Sequence, residues 1–561
     1  MTTRRDFIQQ LAAVPPALAL GPAAWAAADP SRLALVIGNS AYADAPLVNP
    51  VNDAKAVAGL LGQAGFTVSS HLNATRADML GAIERFAAQV RKSETQQVML
   101  YFAGHGVQLD WRNYLLPVDA RAANAEQLRQ SCVDLNQLIG ELGRAKGKTF
   151  IIMLDACRND PFGSAYRPPQ AGLSQFDAPV GSLLAYATSP GNVASDGSGQ
   201  NGLYTENLLR ELSVKGARIE DALKRVRLNV RLASQGAQIP WETTSLEEDV
   251  FIFRDGQRKL SEAEQEKLLE EDLAEWGRIK NSGKSEDYVG YLRKFPSGRF
   301  TEIVQVRLTR LLAEMERSRA QVAASAPAVV EDGKPTIRLG PGLPVPQFMA
   351  PDNNPYSAGR YPLGRKYAIG DTISVRETDL LTGVEQGIRT ATVTRVDTAG
   401  DRVEFDHGAR VTDLMGNLLR TPTISFEAPV QDIPGELQIG KKWRAVGRRV
   451  EKGVSSDFFY DYQIVRRETI SVPAGRFDTF VIEGKGWNKT FGNKLGTTYW
   501  LVPGLNAAVR RENVAHNRSG HFIRTERFEL ISLTQYGVDR QCATAASGTA
   551  QRNLVIKSNC G

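Results

Sequence analysis

Histidine is scarce in this chain: 561 residues carry five. One of them, His105, stands where the apolar run Val98-Met99-Leu100-Tyr101-Phe102 ends in Ala103-Gly104-His105-Gly106. The flanking glycines leave the ring uncovered and let other backbone come close, which suits a catalytic base. A second apolar run, Ile151-Ile152-Met153-Leu154, ends in Asp155-Ala156-Cys157-Arg158-Asn159, which places Cys157 52 residues after His105. An imidazole beside a thiol supplies the base and the nucleophile of acyl transfer. The bland alternative is that Cys157 is one more small buried apolar residue.

Both groups need elements that bring two strand ends together. Leu33 to Ile37, Phe66 to Ser69, Val98 to Phe102, Phe150 to Leu154 and Leu183 to Ala187 read as buried strands; 52–63 and 77–91 read as helices. Uninterrupted apolar strands separated by amphipathic helices predict an α/β sandwich with a mainly parallel sheet over 31–255. Ligands bind such sheets at the C-terminal ends of the strands, where His105 and Cys157 both fall.

With these residues in view, 31–255 resembles a caspase-fold cysteine peptidase (peptidase family C14), of the bacterial metacaspase or orthocaspase kind. The matching blocks are Tyr101 to Gly106, Asp155 to Asn159, and Val36-Ile37-Gly38-Asn39 followed by Leu47 to Ala54. In caspases the histidine also lies about 50 residues before the cysteine. The resemblance implies attack by the Cys157 thiolate, with His105 as base and then acid, and backbone N–H groups of Gly106 and Cys157 as the oxyanion hole. It implies an acidic primary pocket lined by Asp53 and Asp155, hence cleavage after Arg or Lys, and a substrate-binding strand and loop that include Ser189. The alternative for the two aspartates is local: Asp155 caps a neighbouring turn and Asp53 caps the helix beginning near Ala54. Animal caspases carry Gln-Ala-Cys where this chain has Asp-Ala-Cys, so aspartate specificity does not carry over. Some metacaspases need calcium, and Asp196 and Glu206 are nearby acids, but no metal or other cofactor is assigned. The long segment from Arg158 to Pro179 beside the cysteine reads as a gate or an activation site.

The remaining chain reads as separate units. A Glu/Lys-rich stretch, 260–319, has helical periodicity, with Trp276, Ile279, Tyr288, Leu292 and Phe295 facing inward; it predicts a small α-helical hairpin module. Residues 320–345 read as an extended linker. From 346 to 540, alternating strands with frequent glycine turns predict an all-β domain, an antiparallel sandwich or barrel-like sheet. The tail, 541–561, holds Cys542 and Cys560, expected to pair as a disulfide, while Cys132 and Cys157 are expected to stay thiols. Residues 1–28 carry Arg4-Arg5 ahead of an apolar run and an alanine-rich stretch, resembling a twin-arginine export signal. The expected location is therefore the periplasm or the exterior.

With 42% apolar and 23% charged residues, the whole chain is neither a disordered polymer nor a polytopic membrane protein. The net charge of +6 resides in the C-terminal third. That is too dilute for nucleic acid, and leaves protein or peptide substrates plus loose attraction to an anionic envelope as expected partners. The expected activity is that of a cysteine endopeptidase. The alternative is a catalytically silent binding or signalling protein whose β domain carries the partner.

Overall fold

The computed structural model describes residues 29–537, apart from 157–160, 190–198, 255–260, 324–334 and 350–353 and the single positions 93, 143, 163, 171 and 427. Its first part is the expected α/β sandwich. The strands are β1 (Asp29–Gly38), β2 (Phe66–Leu72), β3 (Gln97–Ala103), β4 (Gly106–Leu109), β5 (Arg112–Leu115), β6 (Val133–Asp134), β7 (Thr149–Asp155), β8 (Ser182–Tyr186) and β9 (Trp241–Thr244). The helices are α1 (Pro50–Gln63), α2 (Arg76–Val90), α3 (Ala125–Ser131), α4 (Leu135–Leu142), α5 (Leu203–Leu212) and α6 (Ile219–Ala233). The main sheet runs β2-β1-β3-β7-β8-β9, parallel up to β8 and antiparallel at the β9 edge. Every residue of β3 and β8 is buried, as a sheet covered on both faces requires. Each fully buried Leu, Ile or Val there contributes about 1.5–3 kcal/mol. A small antiparallel sheet, β4-β5-β6, grows directly from the end of β3.

Next come three helices, α7 (Glu262–Ile279), α8 (Ser285–Lys294) and α9 (Thr301–Ala323). Trp276, Ile279, Tyr288, Leu292 and Phe295 are buried as the periodicity predicts. Helix α9 runs four residues past the boundary expected at 319. The expected linker also holds a strand, β10 (Ile337–Leu339), paired with the last strand of the chain. Ile337 and Leu339 are buried around Arg338, a pattern too short to separate from extended chain by sequence.

The C-terminal region closes into a barrel. After β11 (Arg360–Pro362) come β12 (Thr372–Asp379), β13 (Glu385–Asp397), β14 (Arg402–Phe405), β15 (Arg410–Thr412), β16 (Leu418–Arg420) and β17 (Ile424–Phe426). Then follow β18 (Glu436–Gln438), which pairs with β11, and β19 (Lys442–Glu451), β20 (Val454–Val472), β21 (Gly475–Asn488), β22 (Asn493–Leu501), β23 (Arg510–His516) and β24 (Phe522–Gln535). From β12 to β17 and from β19 to β24 each strand pairs antiparallel with the next, β17 pairs with β19, and β24 pairs back with β12. Tyr462, Ile464, Phe480, Ile482 and Leu501 share a core with Trp276, Tyr291 and Phe300, so the helices seal one end. Gly484 lies opposite Tyr462, and the absence of a side chain there lets the ring lie flat against β21. The outward face carries ion pairs such as Arg444–Asp461 (2.6 Å) and Arg448–Asp457 (2.7 Å), unlike the apolar band of a lipid-spanning barrel. Among the described residues no helix is long and apolar enough to cross a membrane.

Candidate active site

The turn after β3 fixes His105 from several sides. Gly104 has φ +153° and an added Cβ would lie 2.5 Å from the Tyr42 hydroxyl, so only glycine fits. That hydroxyl accepts from the His105 N–H (3.0 Å) and donates to the Leu116 carbonyl (3.0 Å). The Leu116 N–H donates to the His105 carbonyl at 3.0 Å. The imidazole packs against the Tyr42 ring, centroids 4.4 Å apart, and its Nε2 lies 2.7 Å from the Ala45 carbonyl. A carbonyl only accepts, so Nε2 carries the proton and Nδ1 is the basic nitrogen of the neutral ring.

The end of β7 lies against this turn. The Gly104 N–H donates to the Asp155 carbonyl at 3.2 Å, and a Cβ on Gly106 would stand 3.1 Å from the Ala156 Cβ and 3.0 Å from Leu173 Cδ2. The residues on either side of His105 thus touch the two residues before the cysteine. Cys157 itself lies outside the described residues. Gly106 opens β4, buried and paired with Leu115.

The two aspartates lie on one side of Tyr101. Asp155 is 4% exposed and accepts from the Thr205 hydroxyl at 2.8 Å; the Thr205 oxygen lies 2.6 Å from the Tyr101 hydroxyl. Thr205 has one proton and gives it to the carboxylate, so Tyr101 donates to Thr205. Burial, then the charges of Asp155 and Asp53, push the Tyr101 hydroxyl well above its ordinary range. Asp53 is 2% exposed and accepts from Asn201 Nδ2 (2.8 Å) and the Gly202 N–H (3.0 Å) at the start of α5. It does not cap its own helix: the N-cap of α1 is Asn49, and Asp53 bridges instead to α5. Gly38 permits this placement, because a Cβ there would collide with Ala54 and stand 2.5 Å from the Pro50 carbonyl.

Other expected residues fare differently. The Ser189 hydroxyl donates to the Ile239 carbonyl at 3.0 Å, which leaves it only acceptor capacity for any other partner. Cys132 is a buried free thiol, pushed up to about 12 chiefly by burial. Cys542 and Cys560, like Asp196 and residues 1–28, lie outside the described residues. Among the described residues no cluster of three or more His, Cys, Asp or Glu side chains could hold a metal ion. Sequence reasoning missed Tyr42, Ala45, Thr205 and Asn201. Nothing in their own neighbourhoods marks them; their positions follow from the tertiary fold.

A clasp from the barrel side reaches the segment after the cysteine. Asn113 and Ser174 exchange two hydrogen bonds (3.0 and 2.7 Å), tying that segment to the β4–β5 hairpin. Asp177 then accepts from the Ser357 hydroxyl (2.8 Å) and the Ala358 N–H (3.0 Å), and its own N–H donates to the Tyr356 carbonyl (2.9 Å). The Tyr356 ring stacks on Phe176 at 5.4 Å.

A parallel sheet of this order, with a histidine turn abutting the strand that leads to a cysteine, defines a caspase fold. Residues 31–251 match the family model of the Peptidase_C14 caspase domain, and this part of the chain has the caspase fold. Among curated proteins, the mucosa-associated lymphoid tissue lymphoma translocation protein 1 of Homo sapiens and its homolog in Mus musculus are each 29% identical over 128 residues. That stretch is 23% of this chain and only 15% of those relatives.

Proposed function

We propose that the protein is a cysteine endopeptidase that cleaves peptide bonds after Arg or Lys. The observation that carries this reading is the fixed tautomer of His105: with Nε2–H held by Ala45, Nδ1 is the atom that takes the thiol proton of Cys157. The thiolate adds to the scissile carbonyl, and N–H groups of Gly106 and Cys157 stabilise the oxyanion. The proton returns from Nδ1 to the departing amine as the C–N bond breaks, leaving an acyl-enzyme. Water then attacks the thioester, giving its proton to His105, and the thiol is restored. The buried pair Asp53 and Asp155 favours a guanidinium over an ammonium, because only the former makes two parallel contacts with a carboxylate. A peptide library cleaved by the purified protein tests the specificity: Arg before the scissile bond leads, Lys follows and Asp is rejected. A preference for Asp removes the pocket assignment.

The site of action is the periplasm or the exterior, reached by twin-arginine export with loss of about the first 28 residues, and Cys542 pairs with Cys560 there. Such a bridge would contribute about 3 kcal/mol on the chain-entropy model. Replacing Arg4 and Arg5 together by Lys should leave the protein in the cytoplasm, as cell fractionation would show; full periplasmic accumulation of that variant refutes the route.

A further inference from the structure

Because every neighbouring pair in the barrel is antiparallel, its hairpin turns alternate between two ends. One end meets the helices: Glu302 accepts from the Gly435 N–H (3.1 Å), and Arg307 pairs with Asp401 (3.4 Å). At the opposite end four turns, β19–β20, β21–β22, β23–β24 and β12–β13, are neighbours around the barrel. They are tied to one another. The Lys489 N–H donates to the Asp457 carbonyl (2.8 Å), Arg518 Nε to the Phe491 carbonyl (3.1 Å), and the Leu380 N–H to the Thr525 carbonyl (2.9 Å).

These linked tips expose apolar side chains that the core does not use: Leu381 (60%), Val384 (56%), Ile388 (61%), Phe491 (45%), Phe522 (49%) and Ile523 (53%). Scattered single residues of this kind are ordinary, but a contiguous set along one rim marks an interaction surface. Cations lie among them. Lys452, Lys489, Lys494 and Arg518 are exposed, and among the described residues none forms an ion pair with a carboxylate. The acids nearby are already engaged: Asp379 by Thr525 and Thr382, Asp457 by Arg448, Glu526 by Arg524. Glu385 is the exposed acid that remains beside the β12–β13 tip.

We infer that this rim docks the protein onto an anionic lipid surface, with the turn-borne Leu, Ile and Phe side chains entering the interfacial layer and the lysines and Arg518 meeting lipid phosphates. Two features favour a bilayer over a folded protein partner. The apolar groups are carried by three neighbouring hairpins, at their turns and on the strand residues beside them, rather than on one flat sheet face, a placement that suits entry into a fluid layer. The cations are interleaved with them, whereas the core of a protein interface is depleted of charge. Lipid phosphates would attract these exposed basic residues, and salt would weaken that attraction. This inference stands apart from the peptidase reading.

Co-sedimentation of the full chain with vesicles tests it. Vesicles of phosphatidylglycerol and phosphatidylcholine in equal parts should bind the protein at least tenfold more tightly than phosphatidylcholine alone, and high salt should weaken the binding. Phe522→Ser with Ile523→Ser should cut partitioning on anionic vesicles at least tenfold, as should Lys489→Glu with Lys494→Glu. All four positions are exposed, so unchanged circular dichroism and melting would confirm that the barrel is intact. Absence of binding to the anionic vesicles, equal binding to neutral ones, or unchanged binding by both double variants overturns the inference.

Discussion

The caspase domain and the barrel break the ordinary rule of burial in opposite directions. At the strand ends of the first, two carboxylates lie inside, Asp53 at 2% and Asp155 at 4% exposure; at the free rim of the second, Ile388 and Leu381 lie outside at 61% and 60%. A buried charge loses hydration, and an exposed apolar cluster orders or excludes water. Each arrangement costs hydration free energy that burial alone does not recover, and the carboxylates are held by Asn201, Gly202 and Thr205. Under the two proposals above, a basic side chain of a substrate would meet the carboxylates and a lipid surface would cover the rim. The topology explains which exception falls where. A parallel sheet gathers its strand ends under loops, so polar groups there become enclosed. Antiparallel hairpins send their turns outward, so apolar groups there stay open.

The sharpest way to break this contrast is at the nucleophile. Cys157→Ala should abolish peptide cleavage and His105→Ala should remove nearly all of it, with the fold and rim-dependent vesicle binding retained in both. Wild-type cleavage by Cys157→Ala would show that the enclosed end does something other than thiol catalysis. Next in size is the pocket. Asp155→Asn should lower kcat/KM for Arg substrates by an amount equivalent to ~2–4 kcal/mol, roughly 30- to 1000-fold, and that for neutral residues far less. An unchanged Arg preference would reduce Asp155 to a hydrogen-bond partner of Thr205. The smallest effect belongs to the clasp. Asp177→Ala removes two hydrogen bonds that steady the segment against Gly106, and should raise KM by about fivefold, in line with roughly 1 kcal/mol. Ser357→Ala should show a lesser change of the same sign in steady-state kinetics.

Much of the enclosed end was legible in the sequence. Val98 to Phe102 and Ile151 to Leu154 have no polar interruption, so their identity as buried strands, with His105 just beyond one and Asp155 closing the other, could be read directly. The partners could not. Thr205 reaches Asp155 across 50 residues and Asn201 reaches Asp53 across 148, and no local pattern encodes a through-space contact of that kind. The barrel shows the converse. Alternation along Phe477 to Ile482 announced strands, but alternation is the same in an open sandwich and in a closed barrel. Closure depends on β24 pairing with β12 as well as with β23, and side-chain periodicity does not name a strand's partners. The rim went unseen for a related reason. Leu381 or Phe522 in a sequence looks like any core residue until the turn that carries it is placed.

The clasp at Asp177 also separates two kinds of integrity. The chain leaves the caspase domain after β9, passes through three helices, and comes back to hold the segment that follows Cys157. The backbone and these contacts together form a closed circuit, in which residues 354–358 grip residues 175–177. A nick in an exposed loop between the two would open that circuit, yet these contacts and the core shared by Leu228, the helices and the barrel would still hold the two fragments together. Cleavage within the segment from Arg158 to Pro179 would likewise alter which residues are covalently joined while the particle keeps its mass and its hairpin rim. Size-based assays would then report an uncut protein, and only a denaturing gel would reveal the difference.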